Sequence, residues 1–270
     1  MSKPIKEGKC HLCGRLGPLT FEHVPPHSAF NDNPVLLLRF DEALAVESTM
    51  APRGKKAQRG SGAYTLCARC NNDTGAWYGP AFAAWAWQAM SHVASSRALQ
   101  RLHLPFHIFP LRVIKQIICM FCSTNGASWA SDDMRRLLLQ RTKRYLPETW
   151  RLFCFFNTSN LIRQTGIVAR GGVPTRSIEV FSEIAFPPFG YVLTKNTSPP
   201  DRRLIEISHF ANYGYDDWRS MSLNMPLLPI ATWLPGDYRT KEKVARGVEH
   251  NKNRSNQGPE DTSDPERRTV

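Results

Sequence analysis

The chain has 270 residues, 41% of them hydrophobic, enough for a buried core in one large or two small domains. It contains no apolar run of eighteen residues and begins with the polar stretch Met-Ser-Lys-Pro-Ile-Lys-Glu-Gly. Neither a membrane-spanning helix nor a secretory leader is therefore expected, and the expected compartment is a reducing cytoplasm. The formal net charge of +12 favours a polyanionic partner, because Lys and Arg that neutralise phosphates release counterions, although a basic soluble protein with no nucleic-acid role has the same composition.

Residues 1 to about 75 are rich in Gly, Pro and polar residues and read as a small metal-stapled unit. Two Cys-x-x-Cys pairs, Cys10-His-Leu-Cys13 and Cys67-Ala-Arg-Cys70, can place four thiolates around one tetrahedral Zn²⁺. The 53 residues between the pairs exceed the 15–20 usual for a compact four-cysteine site, but the short strand Tyr64-Thr65-Leu66 leading into Cys67 suits a zinc-ribbon turn. The loop Ala51–Gly62 carries Arg53, Lys55, Lys56 and Arg59, either as a solvated loop or as a contact to a nucleic-acid backbone.

A helical pattern is expected from Ala76 to about Leu102, with Pro80 in its first turn and Trp77, Phe82 and Trp85 on an apolar face. A second helix is expected over Pro110–Thr124 and a third over Ala130–Leu146. Ser131 suits the third helix's N-cap, and Arg141, Lys143 and Arg144 suit its negative end. A third Cys-x-x-Cys, Cys119-Met-Phe-Cys122, falls in the apolar second helix and reads as buried small hydrophobes, as does Cys154. Residues Arg97–Arg151 carry ten Lys or Arg against Asp132, Asp133 and Glu148, so the basic excess is not confined to a tail.

From Trp150 the texture is β-rich. Short strands are expected at Leu152–Phe156, Gln164–Ala169, Ser177–Phe181, Phe189–Leu193 and Leu204–Ser208, and their spacing without intervening helices argues for an antiparallel sheet packed on the helices. After Trp233 large apolar residues nearly stop, and residues 236–270 are expected to be a disordered tail.

Between the cysteine pairs stands Glu22-His23-Val24-Pro25, and Asn71-Asn72-Asp73 follows the second pair directly. Phosphodiester hydrolysis needs a divalent ion to neutralise phosphate oxygens and a base, most often His, to activate water. A hard Mg²⁺ prefers oxygen ligands, which Glu22 and Asn71 can provide, with Asn72 and Asp73 as alternates. His11, inside the first knuckle, is expected at the surface, and His27 could approach a metal.

The order Cys-x-x-Cys, acidic-His-Val-x-Pro, Leu-Cys-x-x-Cys-Asn-Asn resembles the HNH endonuclease family in its zinc-stabilised branch, over residues 10 to about 80. With the helical then antiparallel β-rich region read over residues 81–235 and the tail from 236 to 270, the chain is expected to be an α+β protein; the resemblance itself implies the N-terminal ββα-metal finger over residues 1–80. It implies Glu22 as the acidic metal ligand, His23 as the general base and Asn71, where many members have His, as second ligand of a catalytic Mg²⁺ or Mn²⁺. The four cysteines then hold a structural Zn²⁺, and Lys55, Lys56 and Arg59 steer the substrate backbone. The implied activity is hydrolysis of nucleic acid, DNA rather than RNA, in a restriction or defence setting. Cutting both strands needs two sites, hence a homodimer or sequential nicking.

Two departures stand out. The family's loop-fixing Asn before Leu-Cys is missing from Ser61-Gly62-Ala63-Tyr64, a role open to Asn72, and the acid is Glu rather than the commoner Asp. A non-catalytic zinc-ribbon module that binds nucleic acid is the alternative, and a protein-interaction module with a structural zinc is a third.

Overall fold

The computed structural model describes residues 5–39, 54–95, 100–171 and 178–247. The N-terminal elements are β1 (Glu7–Lys9), β2 (Leu16–His23), β3 (Val35–Leu37), β4 (Lys55–Ala57) and β5 (Gly62–Cys67), which runs without a linker into helix α1 (Ala68–Ser95). Strands β1, β2 and β5 form an antiparallel sheet in that order, and β3 pairs with β4 as a separate ribbon.

Strand β6 (Arg101–Ile108) leads to α2 (Pro110–Asn125) and α3 (Asp132–Leu139). The large sheet is completed by β7 (Trp150–Asn157), β8 (Arg163–Gly171), β9 (Ile178–Phe186), β10 (Phe189–Lys195), the short β11 (Ile205–Glu206) and β12 (Arg219–Leu228). Its order is β6-β12-β7-β10-β9-β8, with β11 also on β7. The protein is therefore of mixed α+β architecture. All pairings are antiparallel except β12 with β7, which run parallel at Leu227 and Leu228.

The apolar run Leu152–Phe156 has no polar alternation because both faces of the sheet centre are covered. Leu152, Cys154 and Phe156 join the helices in one cluster, while Phe153 and Phe155 face a smaller one with Phe181, Val192, Leu228, Ile230 and Tyr238. Helix α1 docks through Trp85, which stacks on Phe189 at 4.6 Å and 6° and donates its indole N–H to Tyr191 at 2.9 Å. Helix α2 is buried over nearly its whole length and lies at the centre of the larger cluster, which explains its all-round apolar surface. As expected, Cys119, Cys122 and Cys154 are buried free thiols.

Several expectations change. Helix α1 begins at Ala68 rather than Ala76, because the second cysteine knuckle forms its first turn, and Pro80 lies inside it rather than at its start. The expected division at residue 80 falls in mid-helix, and one apolar cluster runs from Cys10 and Leu12 through Trp85 to Phe189.

Helix α3 starts as expected, with Ser131 Oγ accepting the Met134 N–H, but stops at Leu139. The next carbonyls, of Gln140 and Arg141, accept instead from buried Lys115 Nζ at 2.9 Å each. Arg141, Lys143 and Arg144 thus lie beyond the helix end, and Arg141 sits over the Tyr215 ring at 4.9 Å.

The tail also begins later than residue 236. Gly236 donates its N–H to buried Glu183, and Tyr238, 3% exposed, closes the second face of the sheet, so the chain is held through that point. Residues 248–270 lie outside the described residues.

Among the described residues no helix is long and apolar enough to cross a membrane. The free edge of β6 is covered, since Gln88 of α1 accepts the His107 N–H at 2.8 Å and donates to its carbonyl at 2.9 Å, while a His92 ring nitrogen lies 3.2 Å from the Pro105 carbonyl.

Candidate metal and catalytic site

Cys10, Cys13, Cys67 and Cys70 bring their four sulfurs within 4.8 Å of one another. Tetrahedral zinc with bonds of about 2.3 Å places its sulfurs about 3.8 Å apart. Cys13 and Cys67 are 3.9 Å apart, so the cluster suits an ion such as zinc.

The first knuckle turns at Gly14, whose N–H returns to the Cys10 carbonyl at 2.9 Å. The Cys67 N–H points at Cys10 Sγ, 3.3 Å away. The hydrogen bond from Cys70 pulls the Cys10 thiol down to about 4 against the opposing effect of burial, and the same contact pushes Cys70 up. A dication in place of the protons removes this competition. His11 is half-buried rather than on the surface. Its Nδ1 lies 3.2 Å from the carbonyls of Cys122 and Ser123, where the end of α2 leaves backbone acceptors open, so the knuckle is moored to the core.

A cavity of about 700 Å³ opens between the end of β2 and helix α1. Its wall includes Glu22 and His23 from the end of β2, His27 from the following loop, Asn71 from the first turn of α1 and Gln116 from α2. Gly75, Gly79 and Ala83, spaced four apart on α1, form another part of the wall, and a Cβ on either glycine would meet nothing within 4 Å. The β2–β5 pairing slips between Thr20 and Phe21. Such a bulge adds local twist and re-aims side chains beyond it. Neighbouring Glu22 and His23, which strict alternation would send to opposite faces, both line the cavity.

Glu22 is 7% exposed and has no hydrogen-bond or ion-pair partner among the described residues, and burial pushes its carboxyl up to about 8. His23 Nε2 lies 3.0 Å from the Arg59 carbonyl. A carbonyl only accepts, so the neutral ring carries its hydrogen on Nε2 and leaves Nδ1 as an acceptor. Burial lowers the ring's pKa, a smaller effect of the Arg59 carbonyl opposes this, and the nearby His27 and Arg59 lower it further. Asn71 donates both amide hydrogens, to Thr20 Oγ1 at 3.0 Å and to the Phe21 carbonyl at 3.1 Å, which leaves Oδ1 as its free acceptor.

The loop that carries the Arg59 carbonyl is held by Asn31, a residue with no motif around it. Its Nδ2 donates to the carbonyls of Pro25 and Ser61, and its Oδ1 accepts the Ser61 N–H, each at 2.7 Å. Asn31 is fully buried. The adjacent Gly60 has φ of 79°, and a Cβ there would strike Asn31 O and Oδ1 at 2.3 Å, so the loop requires glycine. Asn72, the expected alternative for loop fixing, is exposed on α1.

The basic residues divide. Arg59 reaches the site through its backbone, whereas Lys55 and Lys56 are exposed on the β3–β4 ribbon and do not line the cavity. Arg53 falls outside the described residues. Comparison with family models, with curated proteins and with solved structures finds no match to this chain.

Proposed function

We propose that the chain is a metal-dependent phosphodiester hydrolase of the HNH type that acts on nucleic acid, with DNA the expected substrate. The observation that carries this reading is the grouping of Glu22, His23 and Asn71 on one cavity wall, with His23 Nδ1 left free by the Nε2 contact to Arg59. The antiparallel β2–β5 pair running directly into α1 supports the ββα resemblance.

His23 Nδ1 takes the proton from the attacking water, and Arg59's carbonyl holds the ring in the tautomer that can do so. Glu22, whose carboxyl has no partner among the described residues, and Asn71 Oδ1 form an oxygen donor set that suits Mg²⁺ or Mn²⁺. A divalent ion held there supplies charge to offset the phosphate and the leaving oxygen. The small side of α1 at Gly75 and Gly79 leaves room for a sugar-phosphate chain. The four cysteines hold a structural zinc and take no part in the chemistry.

Incubating zinc-loaded protein with supercoiled plasmid, duplex DNA and single-stranded RNA in Mg²⁺ or Mn²⁺ tests the assignment. His23→Ala should lower cleavage at least about a hundredfold. Equal cutting by wild type and His23→Ala, or no cutting of any substrate, overturns it.

The exposed Lys55 and Lys56 favour one second reading, a zinc-ribbon module that binds nucleic acid without cutting it. It predicts salt-sensitive DNA binding that survives His23→Ala, with no cleavage.

A further inference from the structure

Gln116 is an exception within α2. It is 2% exposed, yet its side chain makes no hydrogen bond among the described residues, and its Oε1 is enclosed without a partner. Exchanging the two ends of the amide would still leave one buried polar atom unpaired. Buried polar atoms are normally paired, and an exception calls for a ligand, a water or an ion. The neighbouring Lys115, equally buried, is satisfied by two carbonyls, so a polar residue at this depth in α2 can find partners when its direction allows.

Gln116 instead lines the cavity that Glu22 and Asn71 also line. Glu22 brings a carboxyl from β2 with no partner among the described residues, and Asn71 brings an Oδ1 whose amide hydrogens are already committed. Three oxygen-bearing side chains from three different elements thus border one space, and those oxygens have no partner among the described residues. Hard divalent cations take such neutral and anionic oxygens together, whereas soft or borderline metals prefer sulfur and nitrogen.

Resting on the hydrolase reading above, we propose that Gln116 is a third oxygen ligand of the divalent cation, with Glu22 and Asn71. Helix α2 then contributes to the site directly, and the cation ties the central helix to β2 and α1. Cation binding makes a favourable interaction for the amide that the protein alone leaves unpaired.

The test uses full-length, zinc-loaded protein titrated with Mn²⁺ by calorimetry and by electron paramagnetic resonance, so that the cysteine cluster is already filled. Wild type should take up one Mn²⁺. Gln116→Leu should weaken that binding by about tenfold or more, while Gln116→Glu, which keeps an oxygen in place, should bind at least as tightly as wild type. Melting in the absence of Mn²⁺ should be alike in wild type and Gln116→Leu, since the amide has no partner to lose, and the zinc content should be alike in all three.

Wild-type Mn²⁺ affinity in Gln116→Leu overturns the proposal. So does loss of binding in both variants, or a Gln116→Leu that melts earlier but binds Mn²⁺ normally, which assigns the amide to a hydrogen bond inside the fold. If wild type binds Mn²⁺ and cuts while Gln116→Leu matches it, only this inference falls. If wild type neither binds Mn²⁺ nor cuts, the hydrolase reading falls with it.

Discussion

Asn31 and Ser61, thirty residues apart, exchange a reciprocal pair of hydrogen bonds at 2.7 Å, and Asn31 adds a third to the Pro25 carbonyl. One buried side chain therefore fixes both the segment after His23 and the loop that presents the Arg59 carbonyl to it. Asn31→Ala should cost roughly 2–4 kcal/mol, since it leaves the buried Pro25 carbonyl and Ser61 N–H unpaired, while the Ser61 carbonyl keeps the Val24 N–H. Urea denaturation reads the loss. Faster amide exchange at residues 59–61 should accompany it, and cleavage should fall with a larger effect on kcat than on KM.

Gly75 separates space from stability. A side chain there meets nothing within 4 Å, and glycine inside a helix is less favourable than alanine by about 0.5–1 kcal/mol. Gly75→Ala should melt at the same temperature as wild type or higher. Gly75→Leu should fold equally well yet intrude on the cavity that Gly75 lines, so DNA cleavage should be lost while the fold and zinc content stay intact. Retained activity in Gly75→Leu would remove the cavity from the substrate path.

The cysteine cluster should hold one zinc per chain, measurable by elemental analysis. Cys13→Ser, or a strong chelator, should remove it and lower the melting temperature sharply, because metal-binding energy in such clusters is folding energy. Cys119→Ala is the control. That thiol is buried in α2 and not part of the cluster, so its zinc content should equal wild type.

Arg163 and Glu183 form an ion pair at 2.6 Å with both side chains at least 98% buried, and Glu183 also accepts the Gly236 N–H. Removing one partner strands a buried charge and should cost roughly 3–5 kcal/mol, with Glu183→Ala as the variant. Hydrogen exchange should show residues 234–238 losing protection first, since that segment hangs on Glu183 and on the contacts of Arg163 to the Leu234 and Asp237 carbonyls.

Acid should weaken the fold partly through Glu206. Its hydrogen bond from Arg151 holds the carboxyl below its ordinary value of 4.5. A depressed carboxyl contributes stability above its unfolded pKa and loses it as pH falls through the folded one. Wild type should therefore lose stability below about pH 4.5 more steeply than Arg151→Met, with both flat in this respect near neutrality. The pair is partly exposed, so the difference should shrink in high salt.

The local elements were largely legible. Apolar periodicity located α2, the Ser131 cap located the start of α3, and the short β-rich runs between breaks located β7 to β10. Strands β6 and β12 escaped, because Arg101–Ile108 and Arg219–Leu228 mix His, Arg, Ser, Asn and Pro on an exposed face. The site was half visible. The cysteine spacing and Glu22-His23 stand out as motifs, whereas Asn31 and Gln116 acquire meaning only when distant segments meet. Nothing near Asn31 signals a partner at Ser61, and Gln116 sits in a run that reads as plain core. The start of the tail was misplaced because one residue, Tyr238, suffices to close a sheet face.

Helix α1 carries Cys70 in its first turn, Gly75 and Gly79 along the cavity and Trp85 in the centre of the core. Where the cysteine cluster holds zinc, zinc supply and core integrity are linked quantities. Bound metal raises the apparent stability of every residue packed on this helix, and a flaw such as Trp85→Leu returns the debt as weaker zinc retention. Growth in zinc-rich medium would conceal core defects that zinc limitation exposes, so the severity of a substitution far from any cysteine would depend on the nutrition of the cell that makes the protein.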